Sequence, residues 1–524
     1  MVHLLDYIII AIYFFAIGAV GFTVTRRRKR STAQFFIAER RIPACAVAFT
    51  LMATLISSGT VIGHPATAYQ KGMILLLGNA MLLVVLLVVA KWIVPFYRNT
   101  VRMSAYEYIG RRFGLGGRVY SSLGFLADRI FDLGVTLLTT AIPIAVMTGW
   151  SLTWIIVLVG AFTVIYTAIG GVEAVVWTDV VQGVILLATP VLIIARLIFA
   201  PEAGHSGAVV AEAYRQGKMH LGSFELSWRS LFDTQMTTQW LFILAYSINW
   251  GRRYIADQHM VQRYLLARTD REASTGAIWN ALMCVPIWAS FMFVGACLFG
   301  YYRLTHKPPP DKVDMVMPYF IIHELPTGMI GAMVAAILAA SMSSIAGDLS
   351  SISTVLTTDY FANFLPRTSD RTRLIFGQIM VVVAGAIAAI VGLVLMPAQG
   401  TAKSIMERGV TIASILSAGT LGLFFLGFLT RRATRRGCYV GIAACLLFTA
   451  WGILSEPTNE KRIDFRFNFT MNPILIGVFG QFVLFGIGYI ASLLLGGYRP
   501  ADVDQLTFRW RAVSSREEQP VTAG

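Results

Sequence analysis

Runs of apolar residues about 20 long are enough to cross the roughly 30 Å hydrocarbon core of a bilayer as a helix. This chain carries about thirteen of them, near 4–24, 41–66, 72–97, 119–148, 150–170, 174–199, 237–265, 276–301, 328–358, 373–397, 405–430, 436–455 and 472–496. Backbone N–H and C=O groups in hydrocarbon must be satisfied within the protein, which leaves only helices and closed barrels as spanning structures. The length and continuity of the runs select helices. Only 14% of the 524 residues are charged, against about 25% in soluble domains. The expected fold class is an all-α integral membrane protein of about 13 transmembrane helices, embedded in a lipid bilayer as its first partner.

A formal net charge of +15 would suit a nucleic-acid binder until the basic residues are located. They cluster between spans: Arg26, Arg27, Arg28, Lys29, Arg30, Arg40 and Arg41 after the first, and Arg98, Arg102, Arg111, Arg112 and Arg118 after the third. Further groups stand at Arg263, Arg268 and Arg271, at Arg367, Arg371 and Arg373, and at Arg431, Arg432, Arg435 and Arg436. With thirteen crossings, all of these loops fall on one side. The positive-inside rule then places the N-terminus outside and the C-terminus in the cytoplasm of a multi-pass plasma-membrane protein. No nucleic-acid partner is implied. The first run is no cleavable signal peptide, because its basic cluster follows the apolar stretch and the stretch is too long. Cys45, Cys284, Cys297, Cys438 and Cys445 lie in or beside spans without CxxC spacing, and read as packing residues.

Two spans look broken at their centres. The second, AFTLMATLISSGTVIGHPATAY, is interrupted by SSGT and then by Gly63 and Pro65; the seventh carries Asn249, Gly251 and two arginines. Five spans separate them. Interrupted helices at matching positions of two halves point to an inverted-repeat transporter with its site at the midplane. Two helices with tolerated glycines are the plainer alternative.

The ninth span contains ASMSSIAGDLSS, residues 340 to 351. Helical spacing places Ala340, Ser343, Ser344, Gly347 and Asp348 on one face. Hydroxyls together with freed backbone carbonyls suit a small hard cation such as Na⁺. A small-residue packing seam, with serines bonded to the preceding turn, is the other reading of the same stripe.

Several motifs, in order, resemble the sodium:solute symporter family. They are LDYIIIAIYFFAIGAVG with basic residues and AQFFIAERRIP after it, SSGTVIGHPATAYQKG, AYEYIGRRFG, YTAIGGVEAVVWTDVVQ, ADQHMVQRYLLA, AASMSSIAGDLSSISTVLTTDY and LGLFFLGFLTRRATRRG. The resemblance covers roughly residues 4 to 440. It implies a LeuT-like 5+5 inverted repeat with one extra N-terminal helix and two extra C-terminal helices. The chain then divides into 1–39 (extra helix and basic loop), 40–200 (first repeat), 201–236 (external loop), 237–432 (second repeat), 433–498 (two C-terminal helices) and 499–524 (a loosely ordered cytoplasmic tail). The loops near 200–236 and 302–327 are long enough to hold small helices capping the outer face.

The resemblance also implies a sodium site. Registering on Ile62-Gly63 and Thr358-Asp359 assigns it to Ala53 and Ile56 at the first break and to Ala340, Ser343 and Ser344 on the eighth core helix. A second sodium site in some members uses the Asp of the WTD motif, here Asp179, and two further hydroxyls. Ala346 and Gly347 stand at those two positions, which puts that site in doubt. Asp179 and Asp348 remain a possible second cation locus, although Asp348 could instead pair with a nearby cation or take a proton.

Candidate solute-binding residues are Ser58, Thr60, Asn79, Asp132, Asn249 and Arg252. Thr60 and Asn79 replace the Gln and Glu that contact galactose in sugar transporters of the family, and Asp132 falls where a sialic-acid-transporting relative carries an Arg. Neither specificity is simply copied. Asp128, Arg129 and Asp132 are spaced for an internal ion pair. Arg252 and Arg253 could clamp a carboxylate or snorkel to the interface. HELP at 323 lacks the second His of a zinc-protease motif, GLGG at 114 lies outside any βαβ unit, and His64 and His259 lack ligand spacing.

The expected function is not an enzyme's. It is Na⁺-coupled secondary active symport, by alternating access, of a small polar organic solute such as a sugar, polyol, organic acid or amino acid, in a monomer or weak oligomer. The alternatives are proton coupling through Asp179 or Asp348, and a membrane sensor module on the same fold.

Overall fold

The computed structural model describes residues 3–26, 31–226, 238–396, 418–456 and 463–508. Fourteen helical segments carry the expected spans among them. They are α1 (Leu4–Arg26), α2 (Ala44–Leu55), α3 (Ser58–Lys71), α4 (Leu76–Thr100), α5 (Leu115–Thr148), α6 (Leu152–Ile198), α7 (Gln239–Ala256), α8 (Gln258–Leu265), α9 (Asp270–Thr305), α10 (Met329–Val355), α11 (Asp370–Leu395), α12 (Thr420–Leu429), α13 (Arg435–Ser455) and α14 (Ile474–Leu495). The runs expected at 150–170 and 174–199 are two helices that meet in a kink at Gly171 (φ 60°, ψ −167°) and are labelled together as α6. A Cβ there would lie 2.7 Å from the Phe35 ring and 2.9 Å from the Phe35 carbonyl oxygen, so both the left-handed backbone and the close approach require glycine. The first part of the run expected at 405–430 lies outside the described residues, as do Arg27 to Arg30.

The break expected at SSGT is present, with Gly63 and Pro65 inside α3, whereas Asn249, Gly251 and both arginines continue α7 and the second break falls beyond them, at Asp257. α2 and α3 meet at 57° because Ile56 (φ −87°, ψ 94°) and Ser57 (φ −96°, ψ 176°) are extended. Between α7 and α8, Asp257 is extended (φ −106°, ψ 119°) and its side chain caps α8 by accepting from the His259 N–H. α10 sits at the centre of the bundle, packed against α1, α2, α5, α6 and α11, with nearly every residue buried. Its N-terminus is pinned by Asp6 of α1, whose Oδ1 accepts from the N–H groups of Gly328 and Gly331 at 2.8 Å each. A carboxylate there satisfies orphan donors and meets the positive end of the helix dipole.

The arginine-rich loops converge on one face. Arg40 donates to the carbonyls of Arg98 and Val101, both at 3.1 Å. Arg98 reaches the Ala267 carbonyl at 2.8 Å and Asp270 at 2.5 Å, and Arg112 donates to the Thr430 carbonyl at 2.8 Å. Arg118 pairs with Asp359 at 2.6 Å. The small helices Ala208–Arg215 and Val316–Glu324 occupy the two long connections expected to hold them.

Of the tail expected to be loose, residues 509–524 lie outside the described residues, and the described part departs from expectation. Residues 499–508 are not loose: the Phe508 N–H donates to the Phe428 carbonyl (2.9 Å), Tyr108 donates to the Leu506 carbonyl (2.9 Å), and Leu506 is fully buried. Leu506 and Phe508 are apolar residues within a polar stretch, and they complete an aromatic cluster with Phe96, Tyr108 and Phe428.

Candidate functional site

The break after α2 creates unpaired acceptors at a defined place. A continuous helix would satisfy the carbonyls of Ala53 and Thr54 with the N–H groups of residues 57 and 58. The extended Ile56 and Ser57 remove those donors. Serines of α10 replace them: Ser343 Oγ lies 2.8 Å from Ala53 O, and Ser344 Oγ lies 3.2 Å from Thr54 O. Each hydroxyl also reaches a carbonyl one turn back on its own helix, Ser343 to Ala339 (2.9 Å) and Ser344 to Ala340 (3.1 Å). Ser343 is also 3.1 Å from the Ala340 carbonyl.

The two serines, Ala53 and Ala340 are thus gathered around one buried locus, with Ile56 at the break itself. Thr54, which sequence reasoning did not select, joins them through its carbonyl. The donor set is neutral oxygen throughout, the chemistry that hard alkali and alkaline-earth cations accept. Oxygens 2.8 Å apart, as in the Ser343–Ala53 pair, subtend about 70° at a cation roughly 2.4 Å from each. The hydroxyl hydrogens can turn onto the carbonyls of Ala339 and Ala340, leaving oxygen lone pairs for the cation.

Asp179 and Asp348 sit among protein cations. Asp179 Oδ2 accepts from Thr50 Oγ1 at 2.5 Å and lies 3.9 Å from the Arg263 guanidinium. Asp348 Oδ1 is 2.5 Å from His259 Nδ1 and 3.4 Å from Arg129. Gly347 gives these groups room, since a Cβ there would fall 2.3 Å from His259 Nε2 and 2.6 Å from an Arg263 terminal nitrogen. A fixed guanidinium therefore stands beside the possible second cation locus. Asp348 takes the cation-paired arrangement that was one of its two alternatives.

Polar groups elsewhere on α10 are accounted for structurally. Ser341 hydrogen-bonds Thr140, and Gln262 of α8 donates to Thr354 at 3.0 Å and to Ser350 at 3.5 Å. Ser353 donates to the Gly377 carbonyl at 2.7 Å.

Below the break lies a cavity of about 220 Å³, and five of the six expected solute residues line it: Thr60, Asn79, Asp132, Asn249 and Arg252. Ser58 is the exception. It is fully buried and turns to Thr139 Oγ1 at 2.9 Å, while its neighbour Ser57 faces the cavity. An aromatic wall was not anticipated. Trp250 stacks on Trp288 with centroids 5.2 Å apart, Trp288 stacks on His64 at 6.5 Å, and Asn79 Nδ2 donates to His64 Nε2 at 3.1 Å. Gln481 of α14 also reaches the cavity, so the last helix, one of the two extra C-terminal ones, contributes to its lining. Its one signal in the sequence is a polar side chain in an otherwise apolar span. Asp128, Arg129 and Asp132 form the expected ion pairs, at 2.8 and 3.1 Å.

Comparisons with known proteins give the chain's family. The sodium/sialic acid symporter NanT of Aliivibrio fischeri is 29% identical, the match covering 99% of this chain and 98% of that protein. The human sodium-coupled monocarboxylate transporter 1 is 25% identical over 85% of this chain and 72% of its own length. A solved Na⁺-coupled sialic acid symporter, in a substrate-bound outward-open state, superposes with a TM-score of 0.83 at 26% identity, covering 95% of this chain and 99% of that one. These relatives are Na⁺-coupled solute symporters rather than enzymes, and this chain is a Na⁺-coupled solute symporter of the same all-helical fold. The family model described as "Sodium:solute symporter family" matches residues 35–444, and the chain belongs to that family.

Proposed function

We propose that the protein imports a small polar organic solute on a single Na⁺, held by Ala53, Ile56, Ala340, Ser343 and Ser344, with the solute in the adjoining cavity. The observation that carries this is the exchange of lost intrahelical donors for two serine hydroxyls of another helix. It makes the break of α2 and the centre of α10 one shared cluster of oxygens. A cation there ties the two elements together. Whichever conformation holds the five oxygens closest binds the ion most tightly, and ion binding shifts the population toward it by that difference in affinity.

The broken helix also forms the cavity roof through Ser57, Gly59 and Thr60. The same shift therefore sets the solute-binding wall. Low cytosolic Na⁺ then favours release inside. The convergence of the arginine-rich loops supports a cytoplasmic assignment for that face, with the N-terminus outside. Arg263 beside Asp179 supports one coupling ion rather than two, because a fixed cation already balances the carboxylate.

Uptake into proteoliposomes under an inward Na⁺ gradient, compared with choline at constant pH, tests the reading. Saturable, Na⁺-activated accumulation with a Hill coefficient of about 1 is expected. Equal uptake in choline, or a coefficient near 2, overturns it.

A further inference from the structure

The cavity contains two adjacent arginines, and their surroundings differ. Arg252 is engaged: its guanidinium is 3.3 Å from Asp128 and 3.4 Å from Asn249 Oδ1, and its side chain is only 8% exposed. Arg253 opens onto the cavity and makes no hydrogen bond or ion pair with any described residue. The nearby carboxylates are committed elsewhere. Asp128 is shared by Arg129 (2.8 Å) and Arg252. Asp132 accepts from Arg129 at 3.1 Å. Asp257 caps α8 and faces Arg129 at 3.7 Å. A guanidinium cannot shed its proton in a protein, and its N–H donors within the membrane are unfavourable without an acceptor.

Deepening the proposed function, and resting on its placement of the solute in this cavity, we infer that the solute is an organic carboxylate anchored by Arg253. The planar fork of a guanidinium fits a carboxylate in two parallel hydrogen bonds. A carboxylate brings one negative charge to that fork, whereas a dianion such as a phosphate monoester would set a second one against Asp132, which also lines the cavity. The stacked Trp250 and Trp288 offer an apolar face to the body of the solute, and Asn79 and Thr136 offer polar edges to its hydroxyls. Arg252 is a positioning residue that holds Asn249 and Asp128, not the carboxylate's partner.

The test uses the full-length protein in detergent. Thermal stability is measured with Na⁺ alone, and then with Na⁺ plus matched pairs: pyruvate and its amide, glucuronate and glucose, N-acetylneuraminate and its methyl ester. Stabilisation by Na⁺ alone reports on the ion site independently; its absence would defeat the proposed function rather than this inference. At least one carboxylate is expected to add stability, with its neutral partner about 10- to 100-fold weaker, the range for a hydrogen bond to a charged group. In Arg253→Gln the acid should fall to the level of its neutral partner, and Arg253→Lys should recover part of the difference. If the Na⁺ shift is present but no carboxylate in the panel stabilises the protein, the inference is overturned. It is equally overturned if the neutral partners bind as well as the acids. Full acid preference surviving in Arg253→Gln would assign the anchor to another residue.

Discussion

Ser343→Ala removes one oxygen from the cation locus and the hydrogen bond that the Ala53 carbonyl receives at 2.8 Å. Two effects follow, and they are separable. Without Na⁺, a buried carbonyl loses its partner, which costs about 1–3 kcal/mol of stability. With Na⁺, the variant also lacks a ligand; taking a contact to a charged group as about 1.5–3 kcal/mol, the apparent Na⁺ affinity should fall about 10- to 150-fold. A ligand at 100 times its Kd stabilises by about 2.7 kcal/mol, whereas one at its Kd contributes only about 0.4 kcal/mol. At a Na⁺ concentration that nearly saturates the native protein, a 100-fold weakened variant should therefore lose most of its Na⁺-dependent stabilisation. Thermal unfolding of the full-length protein in Na⁺ and in choline, at equal ionic strength, reads both numbers, the choline curve giving the ion-free cost. Ser344→Ala should act in the same direction but less, because its contact with the Thr54 carbonyl is longer, at 3.2 Å. A Ser343→Ala protein that keeps the full difference between Na⁺ and choline would refute the assignment of this oxygen to the ion.

Three further outcomes are expected. Asp6→Ala should lower thermal stability by about 1–2 kcal/mol, since the Gly328 and Gly331 amides lose their acceptor at the N-terminus of α10; an unchanged unfolding midpoint would show that the cap is dispensable. Gly295→Ala would place a Cβ 2.2 Å from the Pro65 carbonyl oxygen, forcing α9 away from α3; a loss of about 1–3 kcal/mol or more and reduced folded yield by size-exclusion chromatography are expected. Truncation after Tyr498 removes Leu506 and Phe508 from the cluster around Phe428, and burial of one such apolar side chain is worth about 1.5–3 kcal/mol. The truncated protein should unfold at lower temperature, and an unaltered midpoint would indicate that this docking contributes nothing.

Much of this molecule is legible in its sequence because the bilayer leaves few choices. Apolar runs of spanning length must be helices, and arginines between alternate runs fix which loops share a face. That is why the crossings, the common face of the basic loops and the break at SSGT could be located from residues alone, while the second break falls at Asp257, past the Asn249 and Gly251 that pointed to it. The small helices in the two long connections follow from loop length. Fixed helical spacing likewise put Ala340, Ser343 and Ser344 on one stripe. The Ala53 end of the site came from family register, and the structure sets its carbonyl against Ser343.

Tertiary structure decided which polar groups meet. Helical periodicity says which face a side chain occupies but not which neighbour covers it. That is why Ser58 bonds Thr139 rather than lining the cavity, why the stacked Trp250 and Trp288 wall went unseen, and why residues 499–508 proved to be docked. The same limit separates Arg252 from Arg253: adjacent in sequence, they point about 100° apart around a helix, and only packing shows that, of two arginines lining one cavity, Arg252 meets Asp128 while Arg253 meets no acceptor among the described residues. Solvation by hydrocarbon acts on each segment by itself and can be read along the chain, whereas pairing of buried charges depends on several segments at once and can be read only in the folded bundle.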